Sequence, residues 1–268
     1  MLHNRRTGRK VLLSILIPLA LTVPILGGTM LRPKPAFPPL VIAHRCGAAL
    51  APENTLAALE RSIAVGADMA EVDVRSTRDG VLVALHDESL ARTTGLNRML
   101  AEVDYPILLP LDAGSRFSPC FDGEPIPTLE QLLTAARDRI PLMVEVKDPA
   151  AAVAVISLIL ELGMEEQCLL ASTHLPALRA ARERSPTLKT IYIGRHLPHD
   201  PAAPSYVNGF SLSADALTQS QAILIRSWGK KLYVWTVNTP SAIRRAAALG
   251  VDGLVTDDPA LALEQLQN

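Results

Sequence analysis

From Leu40 onward the chain alternates short β-rich runs with longer helical patterns, and this rhythm limits the fold more than any other feature. LVIAHR, MAEVDVRS, PLMVEVKD, CLLASTH, LKTIYIG, NGFSLSA, KLYVWTVN and DGLVTDD read as strands. PENTLAALERSIAVG, TLEQLLTAARDR, the stretch from Pro149 to about Leu162, LPALRAARER, TQSQAILIRSWG, TPSAIRRAAALG and PALALEQL read as helices. Repeated βα units imply a parallel sheet, and eight of them close naturally into a barrel. The expected fold is therefore an α/β (β/α)8 TIM barrel. HLPHDPAAPSYV is expected to replace one helix with a loop. VLVALHD and the Gly- and Pro-rich region from Arg92 to Pro127 are expected to form a small insertion after the second strand. A doubly wound open sheet is the alternative, but no GxGxxG supports a dinucleotide site.

The 268 residues suit one large domain over residues 40–268, preceded by a distinct segment over 1–39. In that segment Arg5, Arg6, Arg9 and Lys10 precede an uncharged apolar run from Val11 to about Gly28. A basic head before an apolar run reads as export or membrane insertion. Cleavage would need an A-x-A-like site, and only Gly27, Gly28 and Thr29 are small. An uncleaved anchor needs roughly 17–25 apolar residues, so the run lies at the short end. The anchor is favoured slightly, with the basic flank cytoplasmic and the catalytic domain on the outer, periplasmic or extracellular, side. Arg32 to Pro39 carries Pro33, Pro35, Pro38 and Pro39 and reads as a stiff spacer.

Net charge −1 and 4% aromatics argue against a nucleic-acid partner. Cys46, Cys120 and Cys168 are scattered, with no CxxC pair for a structural zinc site.

The chemistry gathers near strand ends. Glu71 and Asp73 are two apart, so period-two alternation puts both on one face, with Val72 and Val74 on the other. Glu145 and Lys147 repeat the arrangement around Val146. Charges inside a barrel are expensive unless paired or bound to metal. Three carboxylates against one lysine leave negative charge that one divalent cation, Mg²⁺ or Ca²⁺, would neutralise; a structural ion-pair network is the plain alternative. His44 beside Arg45 and His86 beside Asp87 suit a paired acid and base for a phosphodiester. His3, His174, His196 and His199 lack such company. Arg45 can hold phosphate oxygens bidentately and Lys147 can act as a point charge, while salt bridges to Glu53 or Glu145 can coexist with that role. Asn54 could cap the helix that starts at Pro52-Glu53-Asn54-Thr55, and Glu53 could reach back into the site. Trp235, late in its strand, could pack against a ligand's carbon chain or simply fill the core.

At these residues the chain resembles the glycerophosphodiester phosphodiesterase family. The resemblance runs through His44-Arg45, Pro52-Glu53-Asn54-Thr55, Gly66-Ala67-Asp68, Glu71-x-Asp73-Val74, Thr77-x-Asp79-Gly80, His86-Asp87 and Arg92-Thr93-Thr94. It continues through Ile126-Pro127-Thr128-Leu129, Glu145-x-Lys147, Val234 to Asn238 and Thr256-Asp257-x-Pro259. It implies a metal-dependent hydrolase that releases glycerol 3-phosphate and an alcohol from a glycerophosphodiester. By motif position Glu71, Asp73 and Glu145 would ligate the cation, and His44 and His86 would be the acid/base pair. Arg45 and Lys147 would contact phosphate, with Glu53 and Trp235 lining the substrate. The family usually has Gly where this chain has Cys46, which puts substrate preference and rate in question if a positive φ is needed there. An oxidising location would allow Cys46 to pair with Cys120. Two other functions use the same scaffold: a lysophospholipid- or sphingolipid-cleaving phosphodiesterase, and a non-catalytic binding protein.

Overall fold

A computed structural model describes residues 38–267. The basic head, the apolar run and nearly all of the spacer lie outside the described residues, and so does the expected anchor. Among the described residues no helix is long and apolar enough to cross a membrane.

The strands are β1 (Leu40–Ala43), β2 (Met69–Ser76), β3 (Leu82–Ala84), β4 (Leu142–Val146), β5 (Cys168–Ser172), β6 (Lys189–Gly194), β7 (Gly209–Ser213), β8 (Lys231–Trp235) and β9 (Gly253–Thr256). Their spatial order is β1-β9-β8-β7-β6-β5-β4-β2, and β1 also pairs with β2, which closes an eight-stranded parallel barrel. β3 lies outside the circle, antiparallel to β2. The helices are α1 (Leu56–Val65), α2 (Ala91–Thr94), α3 (Leu129–Ala136), α4 (Ala152–Glu161), α5 (Leu175–Arg184), α6 (Ala203–Tyr206), α7 (Gln219–Ser227), α8 (Pro240–Leu249) and α9 (Pro259–Gln267). The sequence-derived barrel is the observed fold.

Strand alternation sorts the side chains into two cores. Ile42, Met69, Met143, Ala171, Ile191, Ile193, Tyr233 and Val255 fill the barrel interior. Their chain neighbours, such as Ala43, Ala70, Val144 and Leu254, join the larger core between strands and helices. Such a closed parallel sheet must bury both faces, which explains the near-continuous apolar strands. Above the interior layer, the same inward positions become Glu71 and Asp73 on β2 and Glu145 on β4.

The helix between β6 and β7 departs from expectation. The segment is mostly irregular, but Ala203–Tyr206 forms one helical turn. Pro204 stands in its first turn, where its missing N–H breaks no bond. Asp200 braces the turn by accepting from Ala202 N (2.8 Å) and from the Tyr206 hydroxyl (2.7 Å). The insertion from Arg92 to Pro127 holds most of α2 and short 3-10 turns at Leu100–Glu102, Tyr105–Ile107 and Pro119–Phe121. It has a small core of its own, in which Leu90, Leu100, Val103, Leu108 and Ile126 pack on Val83 and Leu85 around β3.

Candidate active site

Site residues come from the C-terminal ends of β1, β2, β4 and β9 and from the chain just after β3. The residues after β1 turn sharply through His44–Cys46, with positive φ at Arg45 (49°), Cys46 (64°) and Gly47 (104°). The turn points the Arg45 amide into the barrel, where it donates to Glu71 Oε2 at 2.7 Å. Its side chain reaches Glu53 Oε1 at 3.1 Å and lies 3.7 Å from Asp73 Oδ2. Cys46 occupies the left-handed conformation that the usual glycine would permit. It is free, as is Cys120. The pairing considered from sequence is corrected, because Cys46 is sealed in the core while Cys120 is exposed on the insertion.

Glu71, Asp73 and Glu145 converge as their alternation requires. Asp73 and Glu145 are register partners on neighbouring strands, and one ligand oxygen from each of the three carboxylates lies within 4.8 Å of the others. All three are buried. Lys147 follows β4 and places Nζ 2.9 Å from Glu145 Oε1 and 3.2 Å from Asp73 Oδ1. Burial pushes the Glu71 carboxyl well above the usual range, and the Asp73 and Glu145 charges add to this. Burial and Asp73 likewise raise Glu145. For Asp73 burial acts upward too, but Lys147 and His86 hold it below its ordinary value.

The sequence offers Asn54 as a helix cap. Thr55 does that work instead, with Oγ1 accepting from Ala58 N at 3.2 Å. Asn54 stands one residue earlier at φ 58°, a region Asn tolerates. Its amide is buried and donates to Asp73 Oδ2 at 2.9 Å, while its Oδ1 accepts from Asp73 N at 3.1 Å.

The two histidines are held alike. His44 Nδ1 meets Asp257 Oδ1 at 2.6 Å, and His86 Nδ1 meets Asp87 Oδ1 at 2.7 Å. Carboxylates only accept, so each Nδ1 carries the proton and Nε2 is left for chemistry. Asp257 is itself held by Asn238. His44 follows β1 and His86 follows β3, and these strands pair with β2 before and after the Glu71–Asp73 run. Burial depresses the His86 pKa against the pull of Asp73 and Asp87, which favours neutral imidazole at neutral pH.

Glu53 is held by two arginines, Arg45 and Arg92. Arg92 clamps it through Nη1–Oε2 and Nη2–Oε1 bonds of 2.7 Å each. Arg92 Nε also donates to Asp87 Oδ2 at 2.6 Å. Trp235, half-buried at the end of β8, donates Nε1–H to Ser211 O (3.1 Å) and packs on the interior core. The structure thus gathers His44, Arg45, Glu53, Glu71, Asp73, His86, Glu145 and Lys147 into one bonded or charge-coupled group, with Trp235 at the end of β8. It adds Asn54, Asp87, Arg92, Asn238 and Asp257. Asp257 had a sequence signal: it lies two residues past the inward Val255, so the alternation continues to it. Arg92 lies within a recognised motif without an assigned task, and the sequence offers Asn54 only as a cap.

The residues fit a hard dication. The donors are oxygens alone, and Glu71 Oε1 is buried without a hydrogen bond. A buried carboxylate oxygen left alone costs free energy that coordination would recover.

A profile described as the glycerophosphoryl diester phosphodiesterase family matches residues 44–261, from His44 to beyond Asp257. The chain belongs to this family. It is an enzyme, a phosphoric diester hydrolase of the glycerophosphodiester phosphodiesterase type. It is similar to a glycerophosphodiester phosphodiesterase of Caldanaerobacter subterraneus, with 34% identity over 82% of this chain and 94% of that protein. It is similar also to the putative glycerophosphodiester phosphodiesterase YhdW of Bacillus subtilis, with 32% identity over 82% and 94%. Among solved structures it resembles an Oleispira antarctica phosphodiesterase in complex with the product sn-glycerol-3-phosphate. That comparison gives a TM-score of 0.79 and 26% identity over 87% of this chain and 98% of the other. The family match contains every residue of the site described above.

Proposed function

We propose that this glycerophosphodiester phosphodiesterase works with one bound Mg²⁺ or Ca²⁺ and with His44 and His86 as its acid/base pair, releasing glycerol 3-phosphate and an alcohol. The observation that carries the reading is the convergence of Glu71, Asp73 and Glu145 at the barrel end that also carries two imidazoles, each fixed by a carboxylate. The substrate phosphate would sit over the carboxylates, contacted by Arg45 and Lys147. One histidine Nε2 would remove the proton of the glycerol 2-hydroxyl as that oxygen attacks phosphorus. The other would deliver a proton to the departing alkoxide, leaving a cyclic glycerol phosphate. Reversed roles then let water open the ring. Glu71, Asp73 and Glu145 would hold the cation, which supplies positive charge against the phosphoryl oxygens. Asp87 and Asp257 would hold the Nδ1–H of each ring throughout, so that protons come and go at Nε2 alone: the acid starts as imidazolium and the base ends the step as one. Trp235 would face the substrate's carbon atoms, and Glu53 would act on the phosphate through Arg45.

The test is hydrolysis of glycerophosphocholine, glycerophosphoethanolamine, glycerophosphoglycerol and lysophosphatidylcholine, with chelator and with Mg²⁺ or Ca²⁺ restored. Turnover of the first three that chelator abolishes supports the reading. Preference for lysophosphatidylcholine would move the protein to the lipid-cleaving alternative, and no turnover with any of them would overturn catalysis. The basic and apolar N-terminus is the basis for proposing membrane attachment with the catalytic domain outside. Protease accessibility of the domain in intact cells checks that placement.

A further inference from the structure

Arg92 belongs to a sequence motif that the reaction above leaves without a task, yet it makes the densest set of charged bonds near the site. Its guanidinium spends both Nη atoms on Glu53 and its Nε on Asp87. Glu53 in turn binds Arg45, and Asp87 binds His86. A continuous chain therefore runs Arg45–Glu53–Arg92–Asp87–His86. It joins one group that would contact the phosphate to one that would move a proton. The Arg45 end comes from the turn after β1, Glu53 from the approach to α1, and His86 from the chain after β3. β1 and β3 are not neighbours, but each pairs with β2, so the strands set the frame and the side-chain bonds link the segments that continue beyond the strand ends.

The bonds are the strong kind. A guanidinium that meets a carboxylate bidentately fixes angle as well as distance. The anchor is firm: α2 follows the fully buried Leu90, whose carbonyl accepts from Thr94 Oγ1 at 2.8 Å. Arg92 is about half exposed on its outer side, so it is not required for core packing.

We propose that Arg92 is a positioning residue that fixes the phosphate-binding Arg45 and the acid/base His86 relative to each other, acting through Glu53 and Asp87 rather than on substrate. It makes the insertion part of the catalytic apparatus. The proposal rests on the function assigned above, and the experiment separates the two.

Steady-state kinetics of R92A and R92K on glycerophosphocholine, with melting temperature recorded for each, is the first arm. A misplacement of about 1 Å at a reacting group can cost about 100-fold in rate. R92A should lose about that much in kcat with a smaller change in KM. Added guanidinium should restore part of it, and R92K, which lacks the fork, should recover little. The second arm combines E53Q and D87N. Their effects on kcat should be non-additive with Arg92 present and independent in R92A. Unchanged kcat in R92A, a rise in KM alone, or a loss that guanidinium cannot restore would each overturn the proposal. Histidine ¹⁵N spectra form a third arm that needs no turnover. The His86 Nδ1–H signal should shift in R92A, and an unaltered signal also overturns the proposal. A wild-type protein silent on glycerophosphodiesters but with that shift would defeat the assigned reaction and keep the positioning role.

Discussion

Cys46 sits at φ 64°, where an L-residue is strained by roughly 1–2 kcal/mol. The strain is offset because the thiol side is fully buried in the main core and the carbonyl accepts from Ser62 Oγ at 2.7 Å. Cys46→Gly removes both strain and packing, so its stability should stay within about 1 kcal/mol of the parent in urea denaturation. Gly47 differs: at φ 104° an added Cβ would also collide with Ser62 Oγ. Gly47→Ala should cost about 1–3 kcal/mol in the same measurement. The thiols give a second check. Burial, then the Glu71 and Asp73 charges, pushes the Cys46 thiol well up, and burial moves Cys168 up to about 12. Only the thiolate reacts, so iodoacetamide on the native protein should label exposed Cys120 alone, and all three cysteines after unfolding. Rapid native labelling of Cys168 would contradict the burial described.

At the scale of elements, the start of α1 divides its work between adjacent residues. Thr55 caps the helix and has no bond to the carboxylates. Asn54 makes no cap but fixes Asp73 through two hydrogen bonds. Thr55→Ala should therefore lower stability by about 1 kcal/mol and leave cation affinity unchanged. Asn54→Ala should weaken cation binding by about 10–100-fold, the usual cost of losing a group that orients a ligand. Calorimetric titration with Mg²⁺ and Ca²⁺ on both variants would show the split, and equal affinities would refute it. The pairing of β2 with β4 serves the same end, since its register sets Asp73 beside Glu145. A one-residue slip of β2 would turn Glu71 and Asp73 out of the barrel and leave Glu145 inside without them.

For the whole molecule, the buried acids oppose folding until something neutralises them. A cation bound only by the folded chain stabilises it by about 2.7 kcal/mol at a hundred times its dissociation constant. Melting temperature should thus rise with Mg²⁺ or Ca²⁺, fall back with chelator, and respond far less in Glu71→Gln. Acid acts through other groups. Arg92 and His86 hold Asp87 well below the usual carboxylate range. Burial raises Glu53 and Asp257, but arginine bonds on the first and His44 on the second leave both below their ordinary values. Depressed folded pKa values mean stability that is present above about pH 4 and lost as pH falls through the folded values. Urea midpoints should fall below pH 4, with a shallower decline in Arg92→Ala, which frees Asp87 and Glu53. A slope unchanged by that substitution would remove Arg92 from the account.

What could be read from the chain alone follows from local periodicity. The βα rhythm specified a barrel, and alternation by two placed Glu71, Asp73 and Glu145 on its inner face. The capping box of Thr128 with Gln131, three residues apart, is local in the same way. The single turn of α6 escaped that reading because its support, Asp200 bonded to the Tyr206 hydroxyl, is a side-chain contact rather than a pattern. The partners of the histidines and arginines divide in the same way. Asp87 adjoins His86 and was visible, whereas Asp257 lies 213 residues from His44 and Glu53 lies 39 from Arg92. Barrel closure brings β9 beside β1, and packing of the insertion brings Arg92 over Glu53. Sequence determined which side chains face inward, because backbone geometry repeats every two residues. Only the folded chain decided which charges pair, because side-chain bonds a few ångströms long depend on where distant segments come to rest.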